Sequence, residues 1–304
     1  MHKGINDSLL EKLLCFSVFF IFLGRAWQHL FWDAPYRALL WDEVLLKPFV
    51  EKILGMQWYD YVTSSNTDSA IQTIIFSTGI LYVLAAVATL LYRRFPTKTL
   101  KYVILLGAWN LMLLSFLLMK EKFYHFAMFF EQSIQFLLPF VFVYYFKGNF
   151  VFQHFKLILK ILIAIVFISH GLYAIGYYPV PGKFVDMLIC ILEISEQSAK
   201  SLLRIAGVLD FLVAILIFIP KTSQLALWYA FIWGSLTAFA RIFSKFEMQF
   251  PLQTLHQELF ETTYRLAHGL VPLMALLLER NKKINLFAAL YNGLNRFSVR
   301  QKRV

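Results

Sequence analysis

The sequence predicts an all-α fold: a polytopic membrane helical bundle of about eight transmembrane helices, built as two parallel four-helix repeats. Three observations predict it. Of the 304 residues, 59% are hydrophobic, 15% are charged and 32 are Phe, and the mean hydropathy is +0.62, whereas a soluble domain is about a quarter charged. Apolar segments recur, each near the ~20 residues needed to cross a bilayer. Several marks also return in the same order in the second half of the chain.

The spans fall at about 13–31, 70–92, 100–118, 124–146, 156–177, 201–219, 224–243 and 256–278. The first could be a signal peptide, but Arg25, Trp27 and His29 stand where small residues would mark cleavage, so it reads as a retained span. It ends in GRAWQHLFWDAP, residues 24–35. Trp27 and Trp32 mark the membrane interface there. Arg25 and His29, at i and i+4, share a helix face turned to the bundle. The following PYRALLWDEVLLKPFVEKIL, residues 35–54, alternates apolar and charged residues around Pro48 and reads as an outer interfacial segment.

Basic residues set the orientation. Lys3, Lys12, Arg93, Arg94, Lys98, Lys101, Lys147, Lys156, Lys160 and Lys221 fall on the side of the N-terminus, as do the many Lys and Arg after residue 279. The opposite loops hold fewer bases and many acids, among them Asp33, Asp42, Glu43, Glu51, Asp60 and Asp68. The positive-inside rule places both termini in the cytoplasm, and a bacterial inner membrane is the expected location. The tail, 281–304, carries Phe287, Leu290, Tyr291, Leu294 and Phe297 on one stripe with basic flanks, an amphipathic helix suited to anionic lipid. The net charge of +11 is read the same way, as loop bias and lipid contact, with no nucleic acid partner.

The repeat divides the chain into 1–150 and 151–280. STGILYVLAAVATLL (77–91) aligns with IAGVLDFLVAILIFI (205–219): Gly79, Leu81, Leu84 and Ala86 meet Gly207, Leu209, Leu212 and Ala214 at one offset. Phe130 and Glu131 meet Phe260 and Glu261, and Pro35 and Asp42 meet Pro179 and Asp186. Four spans per unit bring both copies in from the same side. In transporters built from such repeats the polar site often lies between the halves.

Charge within a span is costly and calls for a partner or a function. The candidates for ligand binding or proton handling are Arg25, His29, Glu131, Gln135, His170, Arg204, Asp210, Glu261, Arg265 and His268. Arg241 and Glu258 belong to the same set of intramembrane charges. Nearly all fall in the outer half of the bilayer, late in odd spans and early in even ones. A structural alternative stands beside each: Glu261 and Arg265 can orient one helix as an i,i+4 pair, and Arg204 and Arg241 can snorkel to headgroups.

Catalytic and cofactor motifs are sparse. His29 and His170 could serve a bis-histidine haem, yet no further spacing supports one. No three-ligand zinc motif is present, HQELFE (256–261) lacks the second His of HExxH, and there is no P-loop, GxGxxG or GxSxG, so no metal site is expected. Cys15 and Cys190 are the two cysteines and form no CxxC, which argues against a thiol–disulfide catalyst.

SHGLYAIGYYPVPGKFVDM (169–187), with His170, Gly171, Pro179 and Pro181, resembles the DoxX-like membrane family, and RIAGVLDFLVAILIF (204–218) and AHGLVPLMALLLE (267–279) fit its second and fourth helices. The resemblance covers about 155–280; the first half joins it only through the repeat, and GRAWQHLFWDAP departs from the pattern. It implies a four-helix membrane unit. Relatives include a subunit of a thiosulfate:quinone oxidoreductase, membrane partners of redox-defence proteins, and assembly factors without catalysis. The expectation is an accessory to quinone-linked redox chemistry, with Arg25 and Arg265 holding an anionic or carbonyl oxygen and Glu131, Glu261 or His170 moving protons. The alternatives are a non-enzymatic assembly factor or scaffold with a protein partner, and a small-solute transporter.

Overall fold

The computed structural model describes residues 5–147 and 151–301, with side chains for 8–147 and 151–279. The apolar stripe expected in the basic tail lies outside the residues whose side chains are described. Every secondary-structure element among the described residues is helical. The chain runs through α1 (Ile5–Phe31), then a chain of short elements: α2 (Arg37–Leu40), α3 (Glu43–Phe49), a π-helical turn (Val50–Leu54) and α4 (Trp58–Thr63). The long α5 (Ser65–Tyr92) and α6 (Lys98–Glu121) follow, then α7 (Phe126–Glu131) and α8 (Ser133–Tyr145). The second half holds α9 (Phe152–Ala174), α10 (Gly182–Leu192), α11 (Glu196–Leu216), α12 (Ser223–Lys245) and α13 (Pro251–Gln301).

Local chemistry sets the helix starts. Asp42, Ser64, Thr97 and Ser195 each accept a backbone N–H of the first turn of α3, α5, α6 and α11 with their side-chain oxygens. Between α6 and α7 the chain reverses through Phe123 and Tyr124 in the left-handed region, at φ 51° and 59°. The apolar stretch expected to form one span at 124–146 is two helices broken at Gln132, whose φ of −84° and ψ of 0° leave the α region. At the break a three-residue bond, Gln135 N–H to the Gln132 carbonyl at 2.9 Å, replaces the helical one. Adjacent side chains Glu131 and Gln132 consequently serve different partners.

Among the described residues, four helices, α5, α6, α9 and α12, are long and apolar enough to cross a membrane. Their outward faces are apolar: Phe76, Leu84 and Leu91 on α5, Leu106 and Trp109 on α6, Ile232, Leu236, Phe239 and Phe243 on α12 are all exposed. Contiguous apolar surface of this kind suits lipid rather than water.

One core runs through α1, α5, α6, α8, α9, α11, α12 and α13. α1 packs between α5 and α13; α9 packs against α11 on one side and α7 and α8 on the other; α12 lies along α13. Contact between α1 and α13 is backbone-close at Gly24, where a Cβ would sit 2.7 Å from the Phe260 carbonyl oxygen and 2.7 Å from the Tyr264 nitrogen. Small residues at such crossings are expected where packing, not water exclusion, holds helices together.

Two smaller clusters dock the connecting segments. Ala34 and Tyr36 pack on Ile71, Ile75, Leu114 and Leu117, fixing the segment after α1 to α5 and α6. Val185 packs on Ala199 and Leu203, fixing α10 to α11. Ion pairs add to the first docking. Arg37 binds Asp68 at 2.5 Å, and Lys120 at the end of α6 binds Asp42. The Lys120 ammonium, helped by the Leu45 N–H, holds the Asp42 carboxyl below the usual aspartate range.

Candidate functional site

Where α7, α9, α12 and α13 meet, buried charges form an alternating chain. Arg241 of α12 donates from Nε to Glu261 Oε1 at 2.9 Å. Glu261 lies 3.8 Å from Arg265 Nε, one turn on along α13. Arg265 Nη2 donates to Glu131 Oε1 at 2.8 Å. His170 Nε2 of α9 stands 3.7 Å from that same oxygen. Glu131 is 3% exposed and Arg265 9%, so the pair is largely removed from solvent. His268 closes the group: its ring centroid is 6.4 Å from that of His170, its Nδ1 meets the Arg265 carbonyl at 3.2 Å, and its Nε2 is buried without a partner among the described residues.

Arg25 sits beside this chain in a different environment. Its Nε donates to Gln135 Oε1, its Nη1 to Gln28 Oε1 and its Nη2 to Gln132 Oε1, each at 2.8 Å. The guanidinium lies 3.9 Å from the centroid of the Tyr264 ring. Amide oxygens and a π face thus surround a cation that is 3% exposed. The planar fork matches this set of acceptors in a way a lysine could not.

Two cavities connect the chain of charges to the surface. A small one of about 50 Å³ is lined by Arg241, Glu261, Glu258, Lys245, Lys183 and Cys190, among others. That is room for a few waters. It shares Ser244, Lys245 and Glu258 with a wider polar cleft of about 530 Å³ at the junction of α12 and α13. Lys245 and Glu258 pair at 2.7 Å on the boundary between the two.

The remaining candidates separate. His29 does not join Arg25's partners although both lie on α1. Its Nδ1 meets the Arg25 carbonyl at 2.7 Å, its ring packs edge-on to Tyr36 and Tyr82, and its Nε2 is buried without a partner. Tyr36 and Tyr82 both donate to Asn110 Oδ1, at 3.2 and 2.7 Å. Arg204 is exposed on α11 and stands outside the cluster. Asp210 is buried and, among the described residues, its Oδ1 is unpartnered and it makes no ion pair. Trp27 and Trp32 pack edge-on against His256 at the start of α13.

Sequence reasoning missed Gln28, Gln132 and Tyr264 as the partners of Arg25. Gln132 follows Glu131 directly and so lies off its face in an unbroken helix; only the break brings it into use. Compared with family models, curated proteins and solved structures, the chain matches none.

Proposed function

We propose that this chain is an eight-span inner-membrane protein of two parallel four-helix repeats that handles protons at its outer face, as an accessory to quinone-linked redox chemistry. The observation that carries the reading is Glu131, a buried carboxylate from the first half shared by Arg265 and His170 of the second. A histidine that gains a proton beside a carboxylate becomes its second cation, so proton uptake adds one positive charge to the group, which Glu131 partly offsets. The polar cleft at the junction of α12 and α13 supplies the water path outward.

The repeat is supported by matched contacts. The first helix of each half packs on the second of its own half, α1 on α5 and α9 on α11, and on the last helix of the other half, α1 on α13 and α9 on α7 and α8. Gly79 and Gly207 hold corresponding places. A Cβ on Gly79 would meet Leu30 at 2.8 Å, and one on Gly207 would meet Ala174 at 3.0 Å, each near the end of the first helix. The DoxX-like resemblance of 155–280 supplies the redox and quinone link, and Arg25 is the group suited to a quinone oxygen.

Mass spectrometry of what copurifies from native membranes, small molecules and chains together, tests the reading. A stoichiometric quinone, lost in a folded Arg25→Ala variant, is expected. A second reading, a non-catalytic scaffold, is favoured by the internal pairing of Arg241, Glu261, Arg265 and Glu131. It predicts one recurrent protein partner and no quinone.

A further inference from the structure

We propose that Asp210 is a second proton-binding site, independent of the ion-pair chain, and holds its proton as a neutral carboxylic acid in the resting protein. It lies on the stripe Leu203, Gly207, Asp210 and Ala214, the buried face of α11, while Val208, Leu209 and Leu212 face outward. It is 3% exposed, and its Oδ1 has no hydrogen-bond partner among the described residues.

Charged groups on the helices packed against α11 have partners or positions away from Asp210. On α9, His170 stands against Glu131, Lys156 and Lys160 bind Glu279, and the Tyr173 hydroxyl faces His125. On α10, Lys183 and Asp186 line the outer cavity. On α12, Arg241 binds Glu261 and Lys245 binds Glu258. Tyr229 of α12 is the group within electrostatic reach of Asp210, and its ring rests 6.5 Å from that of Phe167 on α9. On α11 itself, Lys200 pairs with Glu196 and Arg204 is exposed. An ionised carboxylate in this setting would lack a counter-charge, a state that proteins avoid by neutralising the group. A proton on either oxygen removes the charge.

The test is infrared spectroscopy of the full-length protein in lipid at neutral pH, wild type minus Asp210→Asn. The expected difference is the loss of one carboxylic acid C=O band, with no loss of carboxylate bands. Loss of carboxylate bands instead overturns the proposal and places a cation against Asp210, such as a basic residue of a partner's membrane helix. Should Asp210→Asn not fold, Asp210→Glu shifts the same acid band, and an unshifted spectrum overturns the proposal equally. The apolar reagent dicyclohexylcarbodiimide adds across one C=N bond to a protonated carboxyl with nothing expelled. It is expected to modify Asp210 in the wild type, less as the pH is raised. Glu131→Gln leaves the acid band in place, so failure here is distinct from failure of the proton-handling reading of Glu131.

Discussion

Arg265 donates a hydrogen bond to Glu131 at 2.8 Å across a sequence separation of 134 residues. This contact ties α7 to α13. Breaking one side of a buried ion pair typically costs about 3–5 kcal/mol, since the other charge is left behind. Glu131→Gln is therefore expected to lower the unfolding midpoint in detergent by a large margin. The double variant Glu131→Gln/Arg265→Gln should lose less than the two single losses added together. Strict additivity would mean that the two side chains are not coupled.

Gly24 lets α1 and α13 approach with their backbones in contact. Gly24→Ala would place a methyl 2.7 Å from the Phe260 carbonyl oxygen, and neither partner atom belongs to a flexible side chain. Overpacking of this kind costs about 1–3 kcal/mol. Gly182→Ala is the control, because nothing lies within 4 Å of its added carbon. Thermal unfolding of the two variants side by side should separate them; equal midpoints would contradict the close crossing.

The Asp42–Lys120 pair predicts that the segment after α1 is acid-sensitive. Lys120 and the Leu45 N–H lower the Asp42 carboxyl below its ordinary value in the folded chain. A carboxyl lowered by folding stabilises the folded form above its unfolded pKa, and that contribution is lost as the pH falls through the folded pKa. Protection of the α2 and α3 amides against hydrogen exchange, corrected for the intrinsic rate at each pH, should therefore fall below the ordinary aspartate range and stay constant from there to neutrality. Asp42→Asn should show the faster exchange already at neutral pH.

Much of the helical pattern was legible in the sequence. The apolar runs at 70–92 and 224–243 are α5 and α12 within a few residues, since length and composition alone define such segments. Side-chain partners were less legible. Arg25 and His29 share a helix face at i and i+4, yet the structure gives one to three glutamines and the other to two tyrosines. That division depends on which neighbours of α1 supply the partners, Gln132 and Gln135 at the start of α8 for Arg25 and Tyr82 of α5 for His29, which no local pattern encodes. Arg204 stands apart from the cluster for a simpler reason. Depth along the span placed it with the cluster, but the buried stripe through Leu203, Gly207 and Asp210 turns the neighbouring position outward.

The outward-facing position of the polar chain is tested most directly by the chain's own thiols. Cys190 is exposed on α10 beside the cavity that reaches Arg241 and Glu261, whereas Cys15 is buried in the core. A membrane-impermeant maleimide applied to intact cells, with the outer membrane opened where one is present, should label Cys190 without permeabilising the inner membrane. Labelling of Cys190 only after the inner membrane is opened would put the cleft and the charge chain on the cytoplasmic side, and would contradict proton handling at the outer face.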